Sequence, residues 1–332
     1  MDAFTHGLAS YCVTRAAFPQ ASRATMMAAI LAGSAANLDQ LSATVSPSAY
    51  LDWYRTATHS VLGTLAIAVV FSIAAAFATR RKANPDRFVV IFFAALATCA
   101  LHVAMDLTQN EGVQLLWPFR AERYSADWVA HFDLWILVIL LAGVLLPQLL
   151  ALVTEEIGAK SKGPRGRVGA ILALALVFIY IGARFILHGS AVALMDARTY
   201  RRELPRRVGA FAESDSPLHW HGIVETERAF YDLDVDLTPG ASFNPDSAVV
   251  SYKPEMSPAL EAAQKTEAAR HFLQAAKFPK ATVEKTDTGY RVEVRDLADQ
   301  RDARSAPRII AIIETDATAK VINEDFAWDK RM

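Results

Sequence analysis

The sequence predicts a multi-pass α-helical membrane domain followed by a small soluble α+β domain with a mainly antiparallel sheet. Three observations carry that prediction. The chain's 332 residues hold 34 Lys+Arg and 35 Asp+Glu, yet residues 1–190 carry only 14 and 11 of them against 20 and 24 in residues 191–332. The charge-poor part contains apolar runs of bilayer length, about 20 residues each. The charge-rich part alternates strand-like and helix-like segments of ordinary soluble composition.

Three runs, Ser60–Thr79, Phe132–Val153 and Val168–Leu187, are long enough to cross a bilayer, and Phe88–Met105 is slightly shorter and leads into Asp106. Two further apolar stretches, Ala3–Phe18 and Ala24–Leu38, suit a tilted hairpin or a re-entrant pair packed against the others. Gly and Ala are frequent inside these runs, as close helix packing in lipid requires. Met1–Leu8 has no basic segment of the kind that opens a signal peptide. Cys12 and Cys99 both lie in apolar stretches and read as small buried hydrophobes. Residues 1–190 are thus expected to form the transmembrane domain, 191–217 a basic juxtamembrane linker, and 218–332 the soluble domain.

Within the soluble part, strands are expected in Leu218–Thr226, Phe230–Leu237, Tyr290–Val294, Ile309–Glu314 and Lys320–Phe326, with one helix over Pro258–Lys277. Alternation puts His219 and His221 on one strand face, where a plain surface strand is the simpler account than a ligand pair. Arg198, Arg201, Arg202, Arg206 and Arg207 are placed to lie on anionic head groups.

Orientation follows from Lys/Arg asymmetry. Arg80, Arg81, Lys82 and Arg87 fill one short loop, Lys160, Lys162, Arg165 and Arg167 another, and Arg15 and Arg23 flank the first turn. With these on the cytoplasmic side, the C-terminal domain is expected outside, which for a bacterial inner membrane is the periplasm. His6, Asp39, His59, His102, Asp106 and His131 then fall on that same outer side. Near-zero net charge and the lack of a long basic block argue against nucleic acid as a partner.

His102 and Asp106 are four residues apart in a helical run and project from one face. An imidazole and a carboxylate so spaced can bind one divalent ion, or the carboxylate can orient the His, or the two can simply satisfy each other. Ionisable groups at membrane depth are costly, which favours a functional account. His59 directly precedes a span, where Thr58 or Ser60 can cap the helix. Asp39 ends the second stretch and His6 begins the first. Asp127, His131 and Asp133 follow the cluster and offer further partners, while Trp117 and Phe119 suit an interfacial belt or a lid. Arg184 and His188 are i,i+4 near the outer end of the last span. No nucleophile elbow, phosphate loop, dinucleotide fingerprint or HExxH is present, so the residues favour water activated by a metal ion over Ser or Cys chemistry. Arg120 and Arg123 are the cations placed to meet the substrate.

These motifs together resemble the membrane-bound metal-dependent hydrolase family, also described as LexA-binding, inner-membrane-associated hydrolases and here termed YdjM-like. The resemblance rests on Met1-Asp2-Ala3-Phe4-Thr5-His6-Gly7, Ala35-Ala36-Asn37-Leu38-Asp39, Thr58-His59-Ser60, His102-Val103-Ala104-Met105-Asp106 and Gly112–Phe119, and covers about residues 1–135. It implies a hydrolase that uses metal-activated water, with His6, Asp39, His59, His102 and Asp106 as metal ligands and His59 and Asp106 as catalytic groups. The ion is expected to be divalent, zinc first, and the substrate a lipid or other phosphoester reached from the bilayer. Two departures bear on this. Tyr54 stands where the family has a His before its Arg-x-x-Thr-His-Ser stretch, and a Pro-Asp-x-Asp element is reduced to Asn37-Leu38-Asp39. A ligand set that used those two groups would be short of both. The rival expectation is a non-catalytic membrane scaffold whose soluble tail binds a protein partner.

Overall fold

The computed structural model describes residues 1–78, 85–156, 166–299 and 308–329. Of the cations that set the orientation, Arg80, Arg81, Lys82, Lys160, Lys162 and Arg165 lie outside the described residues.

The chain divides into two compact units, Met1–Asp39 with Arg55–Arg184, and Gln40–Tyr54 with Phe185–Met332. In the first, α1 (Ala3–Ala17) and α2 (Arg23–Ala35) form the hairpin, and Ala36–Thr44 continues as tighter 3-10 turns. After α3 (Pro47–Trp53) come α4 (Val61–Ala78), α5 (Pro85–Leu107), α6 (Leu134–Glu156) and α7 (Arg167–Asp196). Four of these, α4 to α7, are long and apolar enough to cross a membrane. The expected spans therefore match α4–α7 to within a few residues, except that α7 runs on to Asp196.

Helix starts follow local capping. Asp2 accepts from the backbone N–H of Phe4 and Thr5, and Ser22 from that of Thr25. Ser60 accepts from Gly63 N–H at the head of α4, so of the two expected caps it is the serine that serves. Asp133 accepts from Trp135 and Ile136 N–H at the head of α6 and receives the Tyr180 hydroxyl at 2.9 Å. That carboxylate is used structurally and lies apart from the histidine cluster described below. Arg184, fully buried on α7, donates Nε–H to the Trp128 carbonyl at 2.9 Å.

Helices α1, α2, α4 and α5 pack on one another, and α6 packs on α1. A close approach between helices lies at Gly33. A Cβ there would lie 2.1 Å from Ser10 Oγ and 3.0 Å from Thr98 Cβ, so α1, α2 and α5 meet at this depth because position 33 has no side chain.

The second unit contains two antiparallel four-stranded sheets. β1 (Arg207–Ala212), β2 (His219–Glu225), β3 (Ala229–Asp236) and β4 (Val249–Tyr252) run in sequence order. β5 (Pro279–Lys285), β6 (Gly289–Asp296), β7 (Ile309–Asp316) and β8 (Val321–Trp328) do the same. The single expected helix is two, α8 (Pro258–Gln264) and α9 (Glu267–Ala275), because Ser257 and Thr266 each cap a helix start. Three strands escape the sequence pattern for local reasons. β1 carries a central Gly209, β4 is four residues long, and β5 opens on Pro279 among lysines.

The end of α7 belongs to this unit: Ala191 and Met195 pack with Tyr200, Trp220, Tyr231 and Leu233 beneath the first sheet. Phe211, Ile223, Phe230 and Phe278 join the two sheets. His221 is buried and pairs with Asp232 at 3.1 Å, while the half-exposed His219 pairs with Asp236 at 3.3 Å. Among the linker cations, Arg206 pairs with Glu227, Arg201 donates to the Tyr252 hydroxyl, and Arg207 lies over the Phe278 ring.

Gly33→Ala is expected to lower the unfolding midpoint in detergent by about 1–3 kcal/mol of overpacking. Adding Ser10→Gly should recover part of the loss, because Ser10 is the nearest obstruction to the new methyl. An unchanged midpoint for Gly33→Ala would show that the three-helix contact is looser than described.

Candidate metal centre

The first unit gathers its polar side chains at one end of the helices. His6 comes from the first turns of α1, Asp39 from the turns after α2, His59 from the turn before α4, and His102 and Asp106 from the last turns of α5. All five are buried, with Asp106 and His59 at 0% exposure.

Asp106 is the hub. Its Oδ2 lies 3.0 Å from His59 Nε2 and 3.3 Å from His102 Nε2, and its Oδ1 lies 3.0 Å from His6 Nε2. His59 Nε2 and His102 Nε2 are themselves 3.0 Å apart. The His6 and His102 rings stack with centroids 3.6 Å apart. One ligand atom from each of His6, His102 and Asp106 lies within 4.8 Å of the other two.

The other ring nitrogens decide which atoms face inward as lone pairs. His102 Nδ1 is 2.6 Å from the Gly33 carbonyl. A carbonyl only accepts, so Nδ1 carries the hydrogen and Nε2 of the neutral ring is bare. His59 Nδ1 lies 3.0 Å from Asp39 Oδ2 and 3.0 Å from Thr58 Oγ1, and the Thr58 hydroxyl is itself donated to Asp39. The same assignment follows for His59. Two bare nitrogens and a carboxylate oxygen therefore converge, an arrangement that needs a proton or a cation among them. Burial lowers the His59 imidazole, but its bonds to Asp106 and Asp39 outweigh burial and raise it above the ordinary value. His6 Nδ1 is buried and finds no hydrogen-bond partner among the described residues. This donor set, imidazole nitrogens and one carboxylate with outer partners that set the tautomers, suits a divalent ion such as zinc.

Asp39 stands one step out. Its Oδ2 accepts from Arg55 N–H at 2.8 Å and from Thr58 Oγ1–H at 2.9 Å, besides facing His59. Tyr54 is buried with its ring stacked on Tyr50, and Asn37 is buried with no hydrogen-bond partner for Nδ2 among the described residues.

Arg55 has a structural part as well. It is 1% exposed and its backbone is left-handed, φ +55, a strained conformation for a residue with a side chain. Nη2 lies 3.4 Å from Asp106 Oδ1 and 2.5 Å from Gln109 Oε1, and Nη1 lies 3.0 Å from Glu111 Oε2. The Met1 amino group is also 2.5 Å from Asp106 Oδ1. The position of Arg55 inside Arg55-Thr56-Ala57-Thr58-His59-Ser60 was the available signal. His131 pairs with Glu111 at 2.8 Å. Arg120 is exposed and 3.9 Å from Glu122, and Arg123 is half-buried beside Gly112, so the guanidinium at Asp106 is that of Arg55.

Arg55→Ala is expected to lower stability in detergent by about 3–5 kcal/mol, the usual cost of stripping one partner from a buried ion pair. Arg55→Lys should not restore it, since one ammonium cannot serve Asp106 and Glu111 as a planar fork does. Equal unfolding midpoints for the lysine variant and wild type would contradict that bridging role.

The arrangement can now be set beside known proteins. The family model described as YdjM inner membrane protein matches residues 1–191, which include α1 to α6, most of α7 and every member of the cluster. No curated protein and no solved structure matches the chain. The chain belongs to the YdjM inner membrane protein family.

Proposed function

We propose that this membrane protein is a metal-dependent hydrolase acting on a lipid or other phosphoester at the outer face of the inner membrane. The observation that supports it most is the convergence of His6, His59 and His102 on one buried carboxylate, Asp106, with two imidazole tautomers set by Gly33 and Asp39. His6, His102 and Asp106 are assigned as the residues that hold the ion, zinc being first choice by donor chemistry. Bound there, the ion supplies Lewis acidity and makes a water molecule acidic enough to react near neutral pH.

The chain's own groups then divide the remaining work. Asp39 and Thr58 hold His59 with Nδ1 protonated, so that Nε2 takes a proton from the attacking water. Arg55 offsets the charge of Asp106 and fixes its carboxylate plane. Burial of the cluster keeps bulk water from competing with these contacts. A bilayer-borne substrate fits the location, at the ends of helices long and apolar enough to span, beside a segment that exposes Leu116, Trp117 and Phe119. Exposed Arg120, with Arg123 behind it, is assigned to the phosphate group of that substrate.

Purified protein is expected to hold about one zinc per chain, lost in a His102→Ala/Asp106→Ala variant. Equal trace metal in both would favour the non-catalytic scaffold. For orientation, a reporter active only in the periplasm, fused after Met332, should be active; silence there would invert the proposed sidedness.

A further inference from the structure

Glu111 and His131 lie outside the histidine–Asp106 cluster but are tied to it through one residue. Leu107 O accepts from Ala126 N–H, and Thr108 O from both Trp128 and Val129 N–H, so the returning segment from Ala126 to Val129 runs beside the end of α5. This places His131 against Glu111. Gly112 follows with φ +71, a conformation that favours glycine, and a Cβ there would meet Arg123 Cβ at 3.1 Å. The chain therefore turns sharply just after Glu111. Its carboxylate is held at both ends, Oε1 lying 2.8 Å from His131 Nδ1 and Oε2 3.0 Å from Arg55 Nη1. Arg55 in turn reaches Asp106.

Accessibility rises along that chain of contacts. Asp106 and Arg55 are 0% and 1% exposed, whereas Glu111 and His131 are 11% and 10% exposed. The pair is thus tied to the cluster through Arg55 and slightly more accessible than it, the direction a proton donor that must be recharged needs. Burial raises the Glu111 carboxyl, but His131 and Arg55 outweigh it and hold the group well below the usual carboxylate range. Glu111 stays an anion, able to orient the His131 ring.

We propose that His131 and Glu111 form the acid half of this site, His131 donating a proton to the leaving oxygen of a phosphoester and Glu111 acting as its positioning residue. The inference rests on the hydrolase reading above. In the step, the water oxygen bonds to phosphorus and the bond from phosphorus to the leaving oxygen breaks with its electron pair. His131 Nε2–H gives that oxygen its proton, and the proton lost by the water goes to His59. Exchange with solvent then returns both rings to their starting state.

The test uses full-length protein in detergent loaded with zinc, and phosphate release from two probes, 4-nitrophenyl phosphate and n-octyl phosphate. Nitrophenolate leaves without a proton; octanol does not. His131→Ala should therefore slow octyl phosphate far more than nitrophenyl phosphate, raising the ratio of their kcat/KM values by about 10²-fold or more. Glu111→Gln should shift the ratio the same way by less, and added imidazole should restore part of the octyl turnover of His131→Ala. Zinc content should match wild type in both variants. Equal slowing of both probes, or none, overturns the acid assignment and leaves the hydrolase reading standing. Zinc-loaded wild type that cleaves neither probe overturns the hydrolase reading, and this inference falls with it.

Discussion

A buried carboxylate at the end of a membrane helix governs the rest of this structure. Asp106 sits on α5 with no exposure, and an uncompensated charge there would cost several kcal/mol. The fold answers by bringing donors from separate elements: His6 from α1, His59 from the turn before α4, His102 one helical turn back, and Arg55 from the segment between α3 and α4. Each needs a backbone device of its own. Gly33 lets α2 close on α5 so that its carbonyl meets His102, and Arg55 takes a left-handed conformation that delivers its side chain inward. Ionisable groups at membrane depth are expensive, so a cluster of them marks a functional candidate.

Polarity is graded from the cluster outward. Asp39 faces His59 on one side, while Arg55 and Glu111 carry opposite charges toward solvent on the other, with His131 beside Glu111. Such pairing keeps each charge near a partner of opposite sign, which is the condition for ionised groups to persist in a medium of low polarity. His6, His102 and Asp106 each bring one ligand-type atom within 4.8 Å of the others, a spacing compact enough to take one ion.

The C-terminal unit is built on different rules. Its sheets are antiparallel meanders with register set by alternation, and its first core is completed by the last turns of α7. A helix that begins as a span and ends as part of a soluble core links the two solvents without a break. His221 shows how context changes a residue's meaning. Alternation alone made it a plain surface-strand residue, but it is buried and paired with Asp232 on the neighbouring strand.

Much of this was legible in the chain itself. Apolar length identifies α4 to α7, because a bilayer imposes a minimum that few other structures require. Alternating spans then put His6, Asp39, His59, His102 and Asp106 at one end, since helix direction reverses at each turn. The i,i+4 spacing of His102 and Asp106 is likewise a property of the helix alone. What the tertiary structure decided is the set of partners. The Gly33 carbonyl, the Arg55 guanidinium and the Glu111–His131 pair meet the cluster from positions with no periodic relation to it. A backbone carbonyl carries no side-chain signature, and a loop arginine looks the same whether it faces water or a buried acid. Tautomer, charge balance and access to water depend on those contacts, and contacts between distant segments exist only once the helices have packed.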